Sequence, residues 1–189
     1  MKRILKDAEE LRETLVNHRR YLHQRAETGF DLPQTYVYVE RTLRSLGYTP
    51  QKCGKSGIIA TIGKGKPVVL LRADMDGLPV KENSGEPFAC KTGNMHACGH
   101  DLHAAMLLGA AELLKKRENE LKGRVKLLFE PAEEILSGAK DCLENGLLEG
   151  EKIDCALMLH VMTDVPMPAG TAIVSSAGVS APAADFFRI

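Results

Sequence analysis

The segment NMHACGHDLHAA, residues 94–105, gathers His96, His100 and His103 with Cys98 and Asp101 in one short window. The chain has 6 histidines, so half of them fall here, just ahead of an apolar helical run. Further along, PAEE sets Glu133 beside Glu134, and LMLHV carries an apolar stretch into His160. A thiolate, imidazoles and carboxylates together are a normal donor set for zinc or a similar divalent ion. Of two adjacent glutamates, one can bind metal while the other keeps a free carboxylate, and water activated by a metal needs such a base nearby. Two other readings compete. A Glu-Glu pair taken alone is more often solvated at a helix start, where the helix dipole favours acids. Cys98, with His100 or His160 as its base, has the residue types of a cysteine hydrolase, although that chemistry leaves the acid pairs unexplained.

These groups can meet only if the fold brings them together, and the sequence reads as alternating helices and strands. Ile4, Ala8, Leu11, Leu15 and Leu22 follow a helical stripe. Asp31 to Gln34 reads as a capping box with Pro33 in the first turn of a second helix, which Gly47 closes. Short β stretches are expected around 48–53 and 58–62, and GKGK at 63–66 is a turn without the spacing of a phosphate loop. A buried strand follows in PVVLLRADMD, further strands in GRVKLLFEPAEE and in CALMLHV, which ends in a histidine, and a fourth is expected in GTAIVSS. Between them lie a helix over 102–114, apolar nearly all round, and a short helix over 139–145. This order predicts an α/β fold, a largely parallel mixed sheet sandwiched by helices.

In open α/β sheets, ligands gather outside the carboxyl ends of the strands. Asp74 with Asp76, Glu133 with Glu134, and His160 lie at three such ends, and residues 94–105 open the helix that returns past the same edge. That convergence favours metal over a solvated acid pair. His18 and His23 read as surface or helix-packing residues, and His96 as bonded to loop backbone. His103 either orients the site or packs. Cys53, Cys90, Cys142 and Cys155 read as small apolar fillers.

Composition removes other classes. Lys+Arg and Asp+Glu both number 25 in 189 residues, giving no basic footprint for nucleic acid and no polybasic membrane patch. The charged start is no signal peptide, and no apolar run is long enough to span a bilayer. Scattered cysteines in an odd number, 5, point to a reduced, cytoplasmic protein.

The stretches HRRYLHQRAETGF, LLRADMDGLPVKE, MHACGHDLHAA, LLFEPAEEILSGAKDCLENGLLE and LMLHV resemble, in order, the metal-dependent amidohydrolases of the aminoacylase/carboxypeptidase superfamily. The similarity is to the group of hippurate hydrolase, indole-acetyl-amino-acid hydrolase and N-acetyldiaminopimelate deacetylase. It implies a zinc-peptidase-like catalytic core in which Cys98, His100, Glu134 and His160 hold two divalent ions, zinc or manganese. It implies Glu133 as general base and Asp74 as the acid that elsewhere follows a ligand histidine by two residues. Arg72 stands at that histidine position here, and the histidine after CG takes over. The implied reaction is hydrolysis of the amide bond of an N-acyl amino acid or related small amide or peptide. The sequence departs from the pattern at Ala26 (usually proline), at Glu130 (usually glutamine), and at Ile135 and Leu136 (usually glycines), which implies a stiffer loop. Residues 1–182 would be the N-terminal part of the catalytic domain, and 183–189 the start of a lid and dimerisation domain whose remainder carries a further ligand. Alone, such a chain would be a weak catalyst with an uncovered sheet edge, open to homo-oligomers. The non-catalytic alternative is a fragment that binds metal weakly and turns nothing over.

Overall fold

The computed structural model describes residues 2–163, 166–174 and 177–178. The first apolar stripe folds as two helices, α1 (Lys2–Glu10) and α2 (Arg12–His23), separated by a turn at Leu11. Leu11 and Leu22 are buried while Ile4 is 49% exposed, so the start of the stripe stays outside the core. Helix α3 (Pro33–Ser45) begins at proline and is followed by Gly47 at a φ of 86°, as the sequence predicts. The capping box does not form. Leu32 occupies the cap position, and the Glu27 carboxylate accepts from the N–H groups of Gln34 and Thr35 at 3.1 and 2.9 Å. A distant acid thus satisfies the helix's free donors, which local spacing alone cannot reveal.

Strands β1 (Gln51–Cys53), β2 (Gly57–Gly63), β3 (Val68–Asp74), β4 (Arg124–Glu130) and β5 (Cys155–Met158) form one sheet in the order β1-β2-β4-β3-β5. The β1–β2 and β2–β4 pairs are antiparallel, whereas β4, β3 and β5 run parallel and end on the same edge. Helices cover both faces. On one, Leu127 and Phe129 of β4 pack with Leu22, Val39, Leu43 and Leu108, the last on helix α4 (His100–Lys115). On the other, Leu128 packs with Cys53, Cys142 and Leu147 beside helix α5 (Gly138–Glu144). This alternation is the two-residue period of a strand buried on both faces. Helices α2 and α4 approach closely at Gly109, where a Cβ would fall 2.5 Å from Leu15 Cδ2.

Three expectations change on the open side of the sheet. Residues 171–174 form no strand, and 175–176 lie outside the described residues. Ile173 and Val174 are 61% and 91% exposed, and among the described residues no strand lies beside them to complete a ladder. Helix α4 is also not covered all round: Leu102 is partly open, and so is Met106, which lines a groove of about 260 Å³ with Leu71, Leu107 and Leu157. Cys155 is exposed, unlike the other cysteines expected to fill the core. The expected start of a lid at 183–189 lies outside the described residues. Among those described, no helix is long and apolar enough to cross a membrane.

Candidate metal centre

Strand register builds the rim of the site. Asp74 at the end of β3 pairs with Glu130 at the end of β4, and Arg72 pairs with Met158. His160 follows two residues after the end of β5. The chain leaves β4 through Pro131 and turns at Ala132, whose φ is 54°. Asp76, fully buried, accepts the N–H groups of Glu133 and Glu134 at 3.1 and 3.2 Å and pins this turn. Leu136 has a φ of 52°, a left-handed conformation that costs a side-chain residue about 1–2 kcal/mol. A glycine would hold that position without the cost.

Helix α4 supplies the floor. Gly99 precedes it with a φ of 90°, and a Cβ there would lie 2.4 Å from Val161 Cγ2, so the glycine of CGHD meets both a backbone and a space requirement. His100 and His103, three residues apart, share the buried face of the helix, with ring centroids 5.4 Å apart. His100 Nε2 lies 3.7 Å from Asp74, 3.8 Å from Glu133 and 3.7 Å from Glu134, and its Nδ1 lies 3.4 Å from Asp76. Cys98 Sγ is 3.3 Å from His160 Nε2. Donor atoms of Cys98, His100 and His160 all lie within 4.8 Å of one another, and so do those of His100, Glu133 and Glu134.

One observation tests whether these residues suit a metal. His100 is 1% exposed, yet neither ring nitrogen has a hydrogen-bond partner, and the buried Glu134 Oε1 has none either. Leaving such atoms unpaired is costly. Their separations match ligands that each bind a shared ion at about 2.0–2.3 Å. The residues fit a divalent cation.

A family model described as peptidase family M20/M25/M40 matches residues 70–177, which include every one of these side chains. The chain belongs to that family. Over 183 residues it is 40% identical to an N-acetyl-L-cysteine deacetylase of Bacillus subtilis, covering 95% of this chain and 43% of that protein. It is 44% identical over 146 residues to an IAA-amino acid hydrolase of Arabidopsis thaliana, covering 76% of this chain and 31% of that one. A crystal structure of a dinuclear metal binding peptidase of the M20 family from Bacillus subtilis superposes with a TM-score of 0.78 at 40% identity, covering 84% of this chain and 45% of that chain. The chain therefore spans less than half the length of these relatives.

Within this M20/M25/M40 chain, the electrostatics divide by residue. Burial would push Asp74 upward, but the hydrogen bond from His103 at 2.6 Å, with His100 and Arg72, holds its carboxyl below the ordinary range. Burial would lower His100, and the surrounding Asp76, Asp74 and Glu134 outweigh it and raise its pKa. Burial, with Glu133 beside it, raises Glu134. Burial and then Glu134 and Glu133 push the Cys98 thiol up to about 11. A nucleophilic cysteine needs cationic surroundings that stabilise its thiolate; this one faces carboxylates, which a divalent cation would offset.

The structure brings together Cys98, His100, Glu133, Glu134, His160 and Asp74, as the sequence led us to expect. His96 is not among them, and it does not bond loop backbone: it is buried with both ring nitrogens unpartnered, and burial pushes its pKa down to about 4. His18 packs on the helix surface against the Tyr38 hydroxyl at 2.7 Å. His23 is neither a surface nor a plain packing residue. It lies buried between Asp101 at 2.8 Å and Glu82 at 3.0 Å, and Arg19 donates to the same Asp101 oxygen at 2.8 Å. Sequence reasoning also missed the part Asp76 plays, and the pairing of Arg72 with Asp74 at 2.8 Å and Glu130 at 2.7 Å. The signal was present: positions 72, 74 and 76 are charged at two-residue spacing, the first two on β3 and the third just past its end, in an otherwise apolar segment. Glu130 supplies a counter-charge to Arg72.

Proposed function

We propose that this chain carries one side of a dinuclear metal centre that hydrolyses the amide bond of N-acyl amino acids or related small amides. The observation that carries the reading is the pair of buried, unpartnered nitrogens of His100 among four carboxylates, a thiol and two further imidazoles. Cys98, His100, Glu134 and His160 would hold the ions, which when bound polarise the acyl carbonyl and make water more acidic. The thiolate leans the choice toward zinc, with manganese next. Glu133 is 34% exposed where Glu134 is 17%, so it keeps the freer carboxylate. It can take a proton from water and pass it to the leaving nitrogen. Asp74 orients His103 and supplies negative charge beside His100.

The relatives' names support this substrate class, a deacetylase of N-acetyl-L-cysteine and a hydrolase of IAA-amino acids. Residues 1–182 are then the N-terminal part of a catalytic domain, completed by groups beyond this chain. The free cysteines suit a reducing cytoplasm. A second reading, Cys98 as nucleophile, rests on its 3.3 Å contact with His160, and a covalent acyl-enzyme seen by mass spectrometry would establish it.

The test is hydrolysis of N-acetyl and N-benzoyl amino acids by an active full-length form that carries the completing groups, with metal added and with chelator. Glu133→Gln is expected to retain metal and lose about 10²–10⁴-fold in turnover, and Glu134→Gln to lose metal. Metal lost from a folded Glu133→Gln would exchange the two roles. Turnover unaffected by chelator would reject the metal reading.

A further inference from the structure

We infer that His103 is a positioning residue that fixes both the place and the tautomer of His160 through the backbone of Val161. The inference rests on the proposed role of His160 as a ligand. Beyond β5 the chain leaves the sheet, and His160 is exposed. His103, on α4, is 2% exposed. Its Nδ1 lies 2.6 Å from Asp74 Oδ1, and its Nε2 lies 2.9 Å from the Val161 nitrogen. A backbone N–H can only donate, so Nε2 is the acceptor. Nδ1 then carries the proton and donates to Asp74.

Val161 links the two contacts across its Cα, its N–H lying in the peptide that joins it to His160 and its carbonyl in the next one. His160 Nδ1 is 2.6 Å from the Val161 carbonyl oxygen, which can only accept, so that nitrogen carries the proton. The lone pair of His160 is thereby left on Nε2, the atom 3.3 Å from Cys98 Sγ. The two imidazoles also meet edge to face with centroids 4.6 Å apart. Asp74, His103, Val161 and His160 thus form one directional chain, from the buried end of β3 to an exposed side chain. Ligand histidines generally have their second ring nitrogen held in this way, and loss of such a partner lowers metal affinity about 10–100-fold.

The two contacts of His103 can be separated. In His103→Gln the side-chain oxygen reaches the former Nε2 position and still accepts from Val161. In His103→Asn the amide replaces Nδ1 and reaches only Asp74. Titrate the chain with Co²⁺ and follow the thiolate-to-cobalt absorption, with His160→Ala alongside and circular dichroism as the check on folding. The expected result is weakening of about 10–100-fold in His103→Asn and near-native affinity in His103→Gln. The ¹⁵N shifts of His160 should show protonated Nδ1 in the metal-free wild type and a tautomer mixture in His103→Asn. Should His103→Asn not reach the native dichroism signal, Val161→Pro, which deletes the N–H, takes its place with the same expectation. Native affinity in His103→Asn, or equal loss in both variants, overturns the inference while leaving the metal reading intact. If His160→Ala binds as wild type does, the role of His160 fails, and this inference with it.

Discussion

The two sides of the proposed centre are held by different means. Asp74, Asp76, His100 and His103 are each at most 2% exposed and sit where β3 and α4 enter the main core. His160 and the whole of β5 are exposed, on an edge strand that pairs only with β3 among the described residues. On the first side, packing and ion pairs set the geometry, so the same residues serve stability and function. On the second, a few hydrogen bonds aim a side chain that the fold does not otherwise need. Changes on the buried side should therefore unfold the protein before they reveal chemistry, and changes on the edge should do the reverse.

The largest effect should come from Asp74→Ala. It removes a buried partner of Arg72 and His103, and loss of one member of a buried charge pair costs about 3–5 kcal/mol. Urea unfolding measures it, and a cost no larger than that of a surface substitution would break the distinction between the two sides. Asp76→Ala should follow, at about 1–3 kcal/mol, because the N–H groups of Glu133 and Glu134 lose their acceptor. It should also weaken metal binding, since Glu134 loses its fixed place.

A smaller effect is expected of pH. The hydrogen bond to Asp101 outweighs burial and raises His23 above its ordinary value of 6.5. A group raised on folding contributes fully below that value and loses its contribution as pH climbs through the folded-state pKa. Asp101 is shifted the other way: burial would raise it, but His23 and its other neighbours hold it down, so its contribution is lost only as pH falls through its depressed pKa. Urea midpoints should thus decline from pH 6.5 upward in the wild type, and His23→Gln should flatten that decline. An unchanged slope in the variant would remove His23 as its source. The smallest effect on stability belongs to His160→Ala, expected within about 0.5 kcal/mol of wild type while metal affinity falls. A large destabilisation there would show that the edge is part of the structural core after all.

Much of this was legible in the sequence, and for physical reasons. The apolar runs of β3 and β4 and the helix after CGHD announce themselves by period, and acids or histidine at their ends mark the rim. Long-range pairings do not announce themselves. The Glu27 cap on α3 spans a loop, and His23 meets Asp101 and Glu82 only because α2 packs on α4. The strand expected in GTAIVSS does not form over 171–174 for a related reason: β propensity needs a neighbour to pair with, and among the described residues none is there. At His103 the sequence left orientation and packing balanced, and the hydrogen bonds to Asp74 and Val161 are what the inferred orienting role rests on.

The central claim is that Cys98, His100, Glu134 and His160 hold metal, and bound zinc and manganese measured by elemental analysis test it most directly. The wild-type chain, dialysed after loading, should retain metal, and the folded His100→Ala/Glu134→Ala double variant should retain almost none. Equal metal in both would contradict the account.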